Sequence, residues 1–183
     1  MRILVLSDLQ SLSPEVFDKI NNKNFCDVCV SLGNVSKDVL DTIRNLKHFD
    51  LYSINTENSI HLKCIDINGV KISGVDFDEQ YQYWNEHVES KFVNKLPQDI
   101  DILLTYHAPK KSVNVHGVVD KPDYAKQLMW KIQPKLHISS SEHTNAIGTA
   151  KKYQCNDIYY VYVVGAVLLE INANFQIRRF EAL

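Results

Sequence analysis

The sequence has no apolar stretch that approaches the roughly 20 residues needed to span a membrane as a helix. Its first apolar run, residues 3–6, is also too short for the apolar segment of a secretory signal peptide. Charge of one sign is equally lacking, since 20 Lys and Arg against 22 Asp and Glu leave a net charge of −2. This balance does not indicate a nucleic acid or an anionic membrane as the main partner. We therefore expect a cytoplasmic protein without membrane insertion.

Cysteine and glycine are both scarce, with four and six residues in the chain of 183. Cys26 and Cys29 have the spacing of a Cys-x-x-Cys pair, but they lie within the apolar run FCDVCVSLG. A redox pair normally opens a helix and a zinc site needs a second pair, so we expect buried strand thiols here. No segment has the glycine spacing of a phosphate-binding loop, because GNVSK lacks the final GK[ST].

The first third of the chain alternates between apolar runs and amphipathic helices. RILVLS, CDVCVSLG and FDLYSI are typical of strands that are buried on both faces. Ser13 and Ser36 are the predicted N-caps of the two intervening helices, and Pro14 occupies a first helical position. This β-α-β-α-β order predicts a parallel sheet that is covered by helices.

The rest of the chain predicts a mixed sheet. Two alternating runs flank Asn68-Gly69, a strong hairpin signal. A helix is predicted within DEQYQYWNEHVESKFVNKL, then a strand in IDILLTYH, a helix in KPDYAKQLMWKIQ and a strand in PKLHISS. The tail predicts two or three antiparallel strands that turn at Gly165 and at residues 172–174. With 45% hydrophobic residues and no repeat or linker, we predict one α/β domain over residues 1–183.

Polar side chains of the metal-ligand type follow five of the predicted strands, where ligands bind in open α/β sheets. They are Asp8 and Gln10, Asn34, Asn55 and Glu57, His107, and finally Ser141, Glu142 and His143. Any one Asn or Asp at such a place is most often a helix cap or a turn residue. The five strand ends together indicate a shared site.

The order of these segments resembles that of the calcineurin-like metallophosphoesterases. That family carries D-x-H, G-D, G-N-H-D/E, a single H and G-H-x-H after successive strands. The matching segments here are SDLQ, LGNV, SINTEN, TYHAPK and HISSSEHT, which cover nearly the whole chain. The second half resembles small bacterial and archaeal members, and SLGNVSKDVLDTI is similar to the retromer subunit of the same fold. The resemblance implies a four-layer α/β/β/α sandwich of two mixed sheets.

Family members hold two divalent ions that share an aspartate and activate a hydroxide for attack on phosphorus. Carried over residue by residue, the resemblance implies that one ion would take Asp8, Gln10, Asn34 and His143. The second ion would take Asn34, Asn55, His107 and Ser141. This chain departs from the family at Asn34, which replaces the bridging carboxylate, and at Gln10 and Ser141, which replace histidines. Thr56 stands where the family has the histidine that assists the leaving group.

These departures all weaken metal binding. Among the residues that the resemblance assigns as ligands, only Asp8 is anionic. Two divalent ions about 3.5–4 Å apart repel each other unless negative charge lies between them. Amide oxygens are also weaker ligands for transition metals than imidazole or carboxylate. We predict that the protein binds either one divalent ion (Mn, Fe, Zn or Mg), held by Asp8, Gln10, Asn34 and His143, or no metal ion. Glu57 or Glu142 could replace a lost ligand.

Two functions follow as hypotheses. The first is a binding or scaffold module with a degraded site and an unknown protein partner, a use of the fold that the resemblance to the retromer subunit implies. The second is a metal-dependent phosphodiesterase or phosphatase that hydrolyses a phosphoester with metal-activated water. In that case Asp8, Asn34 and His143 would hold the ion, and His107 and Asn55 would orient the phosphate.

Overall fold

The computed structural model describes residues 1–56, 58–76, 93–106, 124–140, 152–155 and 158–183. The described strands, in chain order, are β1 Arg2–Ser7, β2 Val28–Gly33, β3 Leu51–Ser53, β4 Cys64–Ile67, β5 Val70–Val75, β6 Ile102–Thr105, β7 Leu136–Ser140, β8 Lys152–Cys155, β9 Ile158–Val163, β10 Gly165–Ile171 and β11 Ile177–Ala182. The described helices are α1 Pro14–Ile20, α2 Lys37–Leu46 and α3 Tyr124–Ile132, and a 3-10 turn covers Val93–Lys95.

The strands form two mixed sheets. The first has the order β11-β10-β1-β2-β3, in which β1, β2 and β3 are parallel and β10 and β11 antiparallel to their neighbours. The second has the order β4-β5-β6-β7-β9-β8, with a parallel centre and antiparallel edge strands. The predicted pair of mixed sheets is confirmed.

Three apolar layers hold these elements together. Ile3, Val5, Ile72 and Ile138 belong to a cluster that draws on both sheets and fills the space between them. A second cluster packs α1 and α2 on the outer face of the first sheet, and a third packs Leu128 of α3 on the second sheet. The result is the predicted four-layer α/β/β/α sandwich.

Local sequence signals determine where the first two helices begin. Ser13 Oγ accepts a hydrogen bond from the Val16 N–H at 3.3 Å, with Pro14 as the first helical residue. Ser36 Oγ accepts one from the Val39 N–H, also at 3.3 Å. Each serine satisfies a backbone donor that the first turn of a helix leaves without a partner, so both predicted N-caps are confirmed.

The Asn68-Gly69 hairpin is also confirmed. Both residues have positive φ, 55° and 81°, and they join the antiparallel pair β4–β5. A two-residue turn with positive φ at both positions matches the right-handed twist of the strands.

The predicted hairpin at Gly165 is wrong, whereas the turn at residues 172–174 does join the antiparallel pair β10–β11. At Gly165 (φ 85°) the chain passes from one sheet to the other. β9 lies parallel to β7 in the second sheet, and β10 lies antiparallel to β1 in the first. β10 is almost entirely buried and β9 is mostly buried, so their apolar pattern is compatible with either sheet.

Cys26 and Cys29 are buried free thiols, as expected, but only Cys29 lies in a strand, because Cys26 precedes β2. Burial raises the pKa of Cys26 to about 12 and raises the pKa of Cys29 well above its ordinary value. Both thiols therefore stay protonated at neutral pH and pack as apolar groups beside Leu4.

The predicted helix in DEQYQYWNEHVESKFVNKL lies outside the described residues except for residues 93–96, which include the 3-10 turn Val93–Lys95. In the described part of the chain, no helix has both the length and the apolar character that crossing a membrane requires.

Gly74 of β5 allows the segment after β3 to cross close to the second sheet. The Leu62 N–H donates to Gly74 O at 2.9 Å, and the Gly74 N–H donates to Ile60 O at 3.3 Å. A Cβ at Gly74 would overlap Ile54 Cγ2 and would lie 3.4 Å from Ile60 Cγ1. The lack of a side chain at Gly74 therefore allows Ile54 to pack directly against β5.

We expect Gly74→Ala to lower the free energy of unfolding by about 1–3 kcal/mol, because the added methyl overpacks this contact. Urea unfolding measures the loss. The double variant Gly74→Ala/Ile54→Ala removes the opposing methyl, so its destabilisation should be smaller than the sum of the two single effects. Strict additivity would contradict this account of the glycine.

His137 of β7 is a fully buried histidine. Its Nε2 lies 2.9 Å from Thr105 Oγ1, and its ring packs edge-on against Tyr160. Its Nδ1 has no hydrogen-bond partner among the residues that the structure describes. Burial lowers the pKa of His137 to about 3, since the charged imidazolium would lose its hydration without gaining a counter-ion.

This histidine predicts acid sensitivity. Below the unfolded-state pKa of about 6.5 the unfolded chain takes up a proton at His137, whereas the folded chain stays neutral down to about pH 3. The free energy of unfolding should therefore decrease as the pH is lowered from about 6.5 towards about 3, by up to about 1.4 kcal/mol per pH unit. Urea unfolding of the wild type and of His137→Gln at pH 7, 6, 5 and 4 measures this slope as a difference. A constant difference between the two proteins would refute the prediction.

Candidate functional site

The carboxyl ends of parallel strands from both sheets meet at one end of the sandwich. Asp8 follows β1 and Asn34 follows β2, both in the first sheet. Tyr106 follows β6 and Ser140 ends β7, both in the second sheet. We call these residues, together with Ser7 at the end of β1, the Asp8 cluster.

The carboxylate of Asp8 accepts four hydrogen bonds from residues that the structure describes. Its Oδ1 accepts from Asn34 Nδ2 and from the Tyr106 hydroxyl, each at 2.8 Å. Its Oδ2 accepts from Ser7 Oγ at 2.9 Å and from Ser140 Oγ at 2.5 Å. A carboxylate offers about four lone-pair positions, so these donors occupy all of them.

These donors also determine the charge of Asp8. Burial by itself would raise the pKa of this carboxyl, but the hydrogen bonds from Ser140, Asn34, Tyr106 and Ser7 outweigh it and lower the pKa. Donors favour the charged form because they bind the ionised oxygens more strongly than the protonated ones. Asp8 is therefore an ionised carboxylate at neutral pH.

The loops that carry Asp8 and Asn34 have left-handed backbone conformations, with φ 51° and 52°. Asp and Asn tolerate this region better than other residues that have a Cβ. The Asp8 N–H donates to Gly33 O at 3.2 Å, and the Leu9 N–H donates to Asn34 O at 3.1 Å. The two loops thus stabilise each other directly above the parallel pair β1–β2.

Gly33, at φ 127°, gives the cluster room. A Cβ at this position would lie 3.0 Å from Asn55 Nδ2 and 3.1 Å from Tyr106 Cδ2. The glycine therefore allows the Tyr106 ring of the second sheet to approach the first sheet, which brings its hydroxyl to Asp8.

The side chain of Gln10 stabilises the loop of Asn34, whereas the side chain of Asn55 stabilises its own turn after β3. Gln10 Nε2 donates to Asn34 O at 3.2 Å. Asn55 Oδ1 accepts from Ser53 Oγ at 3.2 Å, and the Asn55 N–H donates to the same hydroxyl at 3.3 Å. None of these three hydrogen bonds involves the Asp8 carboxylate.

The structure thus joins Asp8 and Asn34 directly, places Gln10 on the backbone of Asn34, and places Asn55 beside Gly33. The other residues of the predicted ligand sets and their substitutes lie outside the described residues: Glu57, His107, Ser141, Glu142 and His143. Their part in a site stays a prediction.

The described side chains do not fit a divalent ion in this arrangement. Asn34 presents its N–H to Asp8, and the lone pairs of Asp8 are taken by neutral donors. Among the described residues, no group of three or more His, Cys, Asp or Glu is placed to hold a metal. The described part of the site stabilises the Asp8 carboxylate by hydrogen bonds.

Sequence reasoning missed Tyr106 and Ser140. Each directly precedes a predicted ligand, since Tyr106 precedes His107 and Ser140 precedes Ser141. Their position at strand ends was a usable signal. They were overlooked because a search for metal ligands favours imidazole and carboxylate over the hydroxyl groups that donate to a carboxylate.

No protein-family model matches the sequence, and a search of curated proteins finds no match. Several solved structures, in contrast, are similar to this chain in fold. The crystal structure of TT1561 of Thermus thermophilus is 14% identical, covers 99% of this chain and 98% of its own, and has a TM-score of 0.63.

Two further structures are similar over the whole chain. Wild-type Vps29 of Entamoeba histolytica, solved with Zn²⁺, is 14% identical over 100% of this chain and 98% of its own, with a TM-score of 0.51. GAP50 of Plasmodium, described as the anchor in the inner membrane complex, is 10% identical over 100% and 88%, with a TM-score of 0.53. Identities this low support the fold alone. The chain has the metallophosphoesterase-like fold of Vps29, as its strand-end motifs predicted.

Proposed function

We propose that this protein is a binding or scaffold module in which hydrogen bonds around Asp8 replace the dinuclear metal centre of the metallophosphoesterase fold. The observation that carries this proposal is the carboxylate of Asp8, which neutral donors surround at 2.5–2.9 Å. A catalytic ion would need the same lone pairs.

The charge of the site supports the same proposal. Two divalent ions bring four positive charges, and Asp8 is the only carboxylate among the mapped ligands. Asn34, in the place of the bridging carboxylate, contributes no negative charge. Without a negative charge at position 34, the two ions would repel each other, and this repulsion opposes a permanently bound pair of metal ions.

The proposed ligand is a protein partner. GAP50 of Plasmodium, which has a similar fold, is described as the anchor in the inner membrane complex. The resemblance of SLGNVSKDVLDTI to the retromer subunit supports the same use. On this proposal the strand ends stabilise the sandwich, and its surface makes the contact.

One observation favours a second candidate, a phosphoesterase with an atypical metal site. Vps29 of Entamoeba histolytica was solved with Zn²⁺. In this chain the ion would need Asp8 and Asn34 together with His143, and His107 and Asn55 would serve the phosphate. Such an enzyme would first have to break hydrogen bonds of the Asp8 cluster.

The two candidates give different results in one assay. We expect protein purified without chelator to hold Mn, Fe, Zn and Ni well below one equivalent. With added Mn²⁺, its hydrolysis of bis-p-nitrophenyl phosphate should not exceed that of Asp8→Ala. Stoichiometric metal, with turnover that disappears in Asp8→Ala, would establish the phosphoesterase instead.

If the Asp8 cluster stabilises the fold, removal of one donor should be measurable. We expect Tyr106→Phe to lower the free energy of unfolding by about 1.5–3 kcal/mol, the usual value for a hydrogen bond to a charged group. The matched control is Tyr52→Phe, because the Tyr52 hydroxyl makes only a 3.5 Å contact with Asp50 at an exposed site. Equal losses in the two variants would argue against a structural role for the cluster.

A further inference from the structure

We propose that Asn34 is the residue that keeps divalent cations out of this site, so that Asn34→Asp alone would turn the Asp8 cluster into a cation-binding site. The inference rests on the proposed function, in which the wild-type site holds no resident metal. It assigns that property to one side-chain atom, the amide nitrogen of Asn34.

The orientation of the Asn34 amide carries the argument. Its Nδ2 lies 2.8 Å from Asp8 Oδ1, so an N–H points at the carboxylate. The opposite orientation would place two oxygen atoms at that distance, which an ionised Asp8 disfavours. The position between the two side chains therefore carries a partial positive charge that repels a cation.

The backbone of Asn34 is held in place as well. Its carbonyl oxygen accepts from the Leu9 N–H at 3.1 Å and from Gln10 Nε2 at 3.2 Å. Two hydrogen bonds to the backbone carbonyl and one from the side chain to Asp8 keep the Asn34 amide beside the carboxylate. A cation would have to displace it.

A carboxylate at position 34 would reverse this electrostatic relation. Asp tolerates the left-handed conformation of Asn34 (φ 52°), so the loop can keep its shape. Two carboxylates would then face each other where one N–H···O bond stood. The remaining donors, Tyr106, Ser140 and Ser7, are neutral and cannot balance two negative charges. A divalent cation can, and oxygen ligands of this kind suit Mn²⁺ and Mg²⁺.

The experiment compares Mn²⁺ binding by wild type, Asn34→Asp and Asn68→Asp. Asn68 is the matched control because it makes the same chemical change at the same kind of backbone, φ 55°, in the β4–β5 turn. Equilibrium dialysis measures bound Mn²⁺, and thermal unfolding in EDTA and in rising Mn²⁺ measures its effect on the melting temperature.

We expect Asn34→Asp to melt below wild type in EDTA, to regain stability saturably with Mn²⁺, and to bind about one equivalent at least tenfold more tightly than wild type. Asn68→Asp should behave like the wild type. If Asn34→Asp is unfolded in EDTA, recovery of its native circular dichroism by Mn²⁺, but not by NaCl of equal ionic strength, supports the proposal. Failure to recover overturns it.

Two other outcomes would overturn the proposal. In one, Asn34→Asp folds but shows no saturable response to Mn²⁺. In the other, wild type binds Mn²⁺ as tightly as Asn34→Asp. The first leaves the proposed function intact, provided that wild type is metal-free and inactive. The second, when accompanied by turnover in the wild type, also refutes the proposed function.

Discussion

The interaction on which this end of the molecule depends is the set of hydrogen bonds to the Asp8 carboxylate. Ser7 and Asn34 come from the first sheet, and Tyr106 and Ser140 come from the second. A single ionised group thus ties the two sheets together where their parallel strands end. The left-handed conformation of Asn34 and the lack of a side chain at Gly33 allow this contact.

Hydrogen-bond donors and metal ions solve the same physical problem at these strand ends. A partly buried carboxylate needs positive charge or positive dipoles around it. In this chain an amide and three hydroxyl groups supply those dipoles. On the function that we propose, these donors stabilise the sandwich in place of an ion, and Asn34 is the position at which the fold is separated from its usual chemistry.

Local signals were sufficient for several elements of the fold. Ser13 and Ser36 define helix starts because a side-chain oxygen can satisfy nearby backbone donors within the same turn. Asn68-Gly69 defines a hairpin because the turn requires positive φ at two consecutive positions, and Asn and Gly are among the few residues that tolerate it. The prediction of a hairpin at Gly165 was wrong because β9 and β10 are both mostly buried, and a mostly apolar strand carries little information about which sheet it joins.

The sequence by itself determined that Asp8, Asn34 and Asn55 follow neighbouring parallel strands, since apolar runs and helix caps mark where each strand ends. It also determined that Asn34 is neutral. Only the tertiary structure decided which groups face Asp8, because Tyr106 and Ser140 lie 98 and 132 residues away along the chain. Their approach depends on how the two sheets pack, and that packing is a property of the whole core.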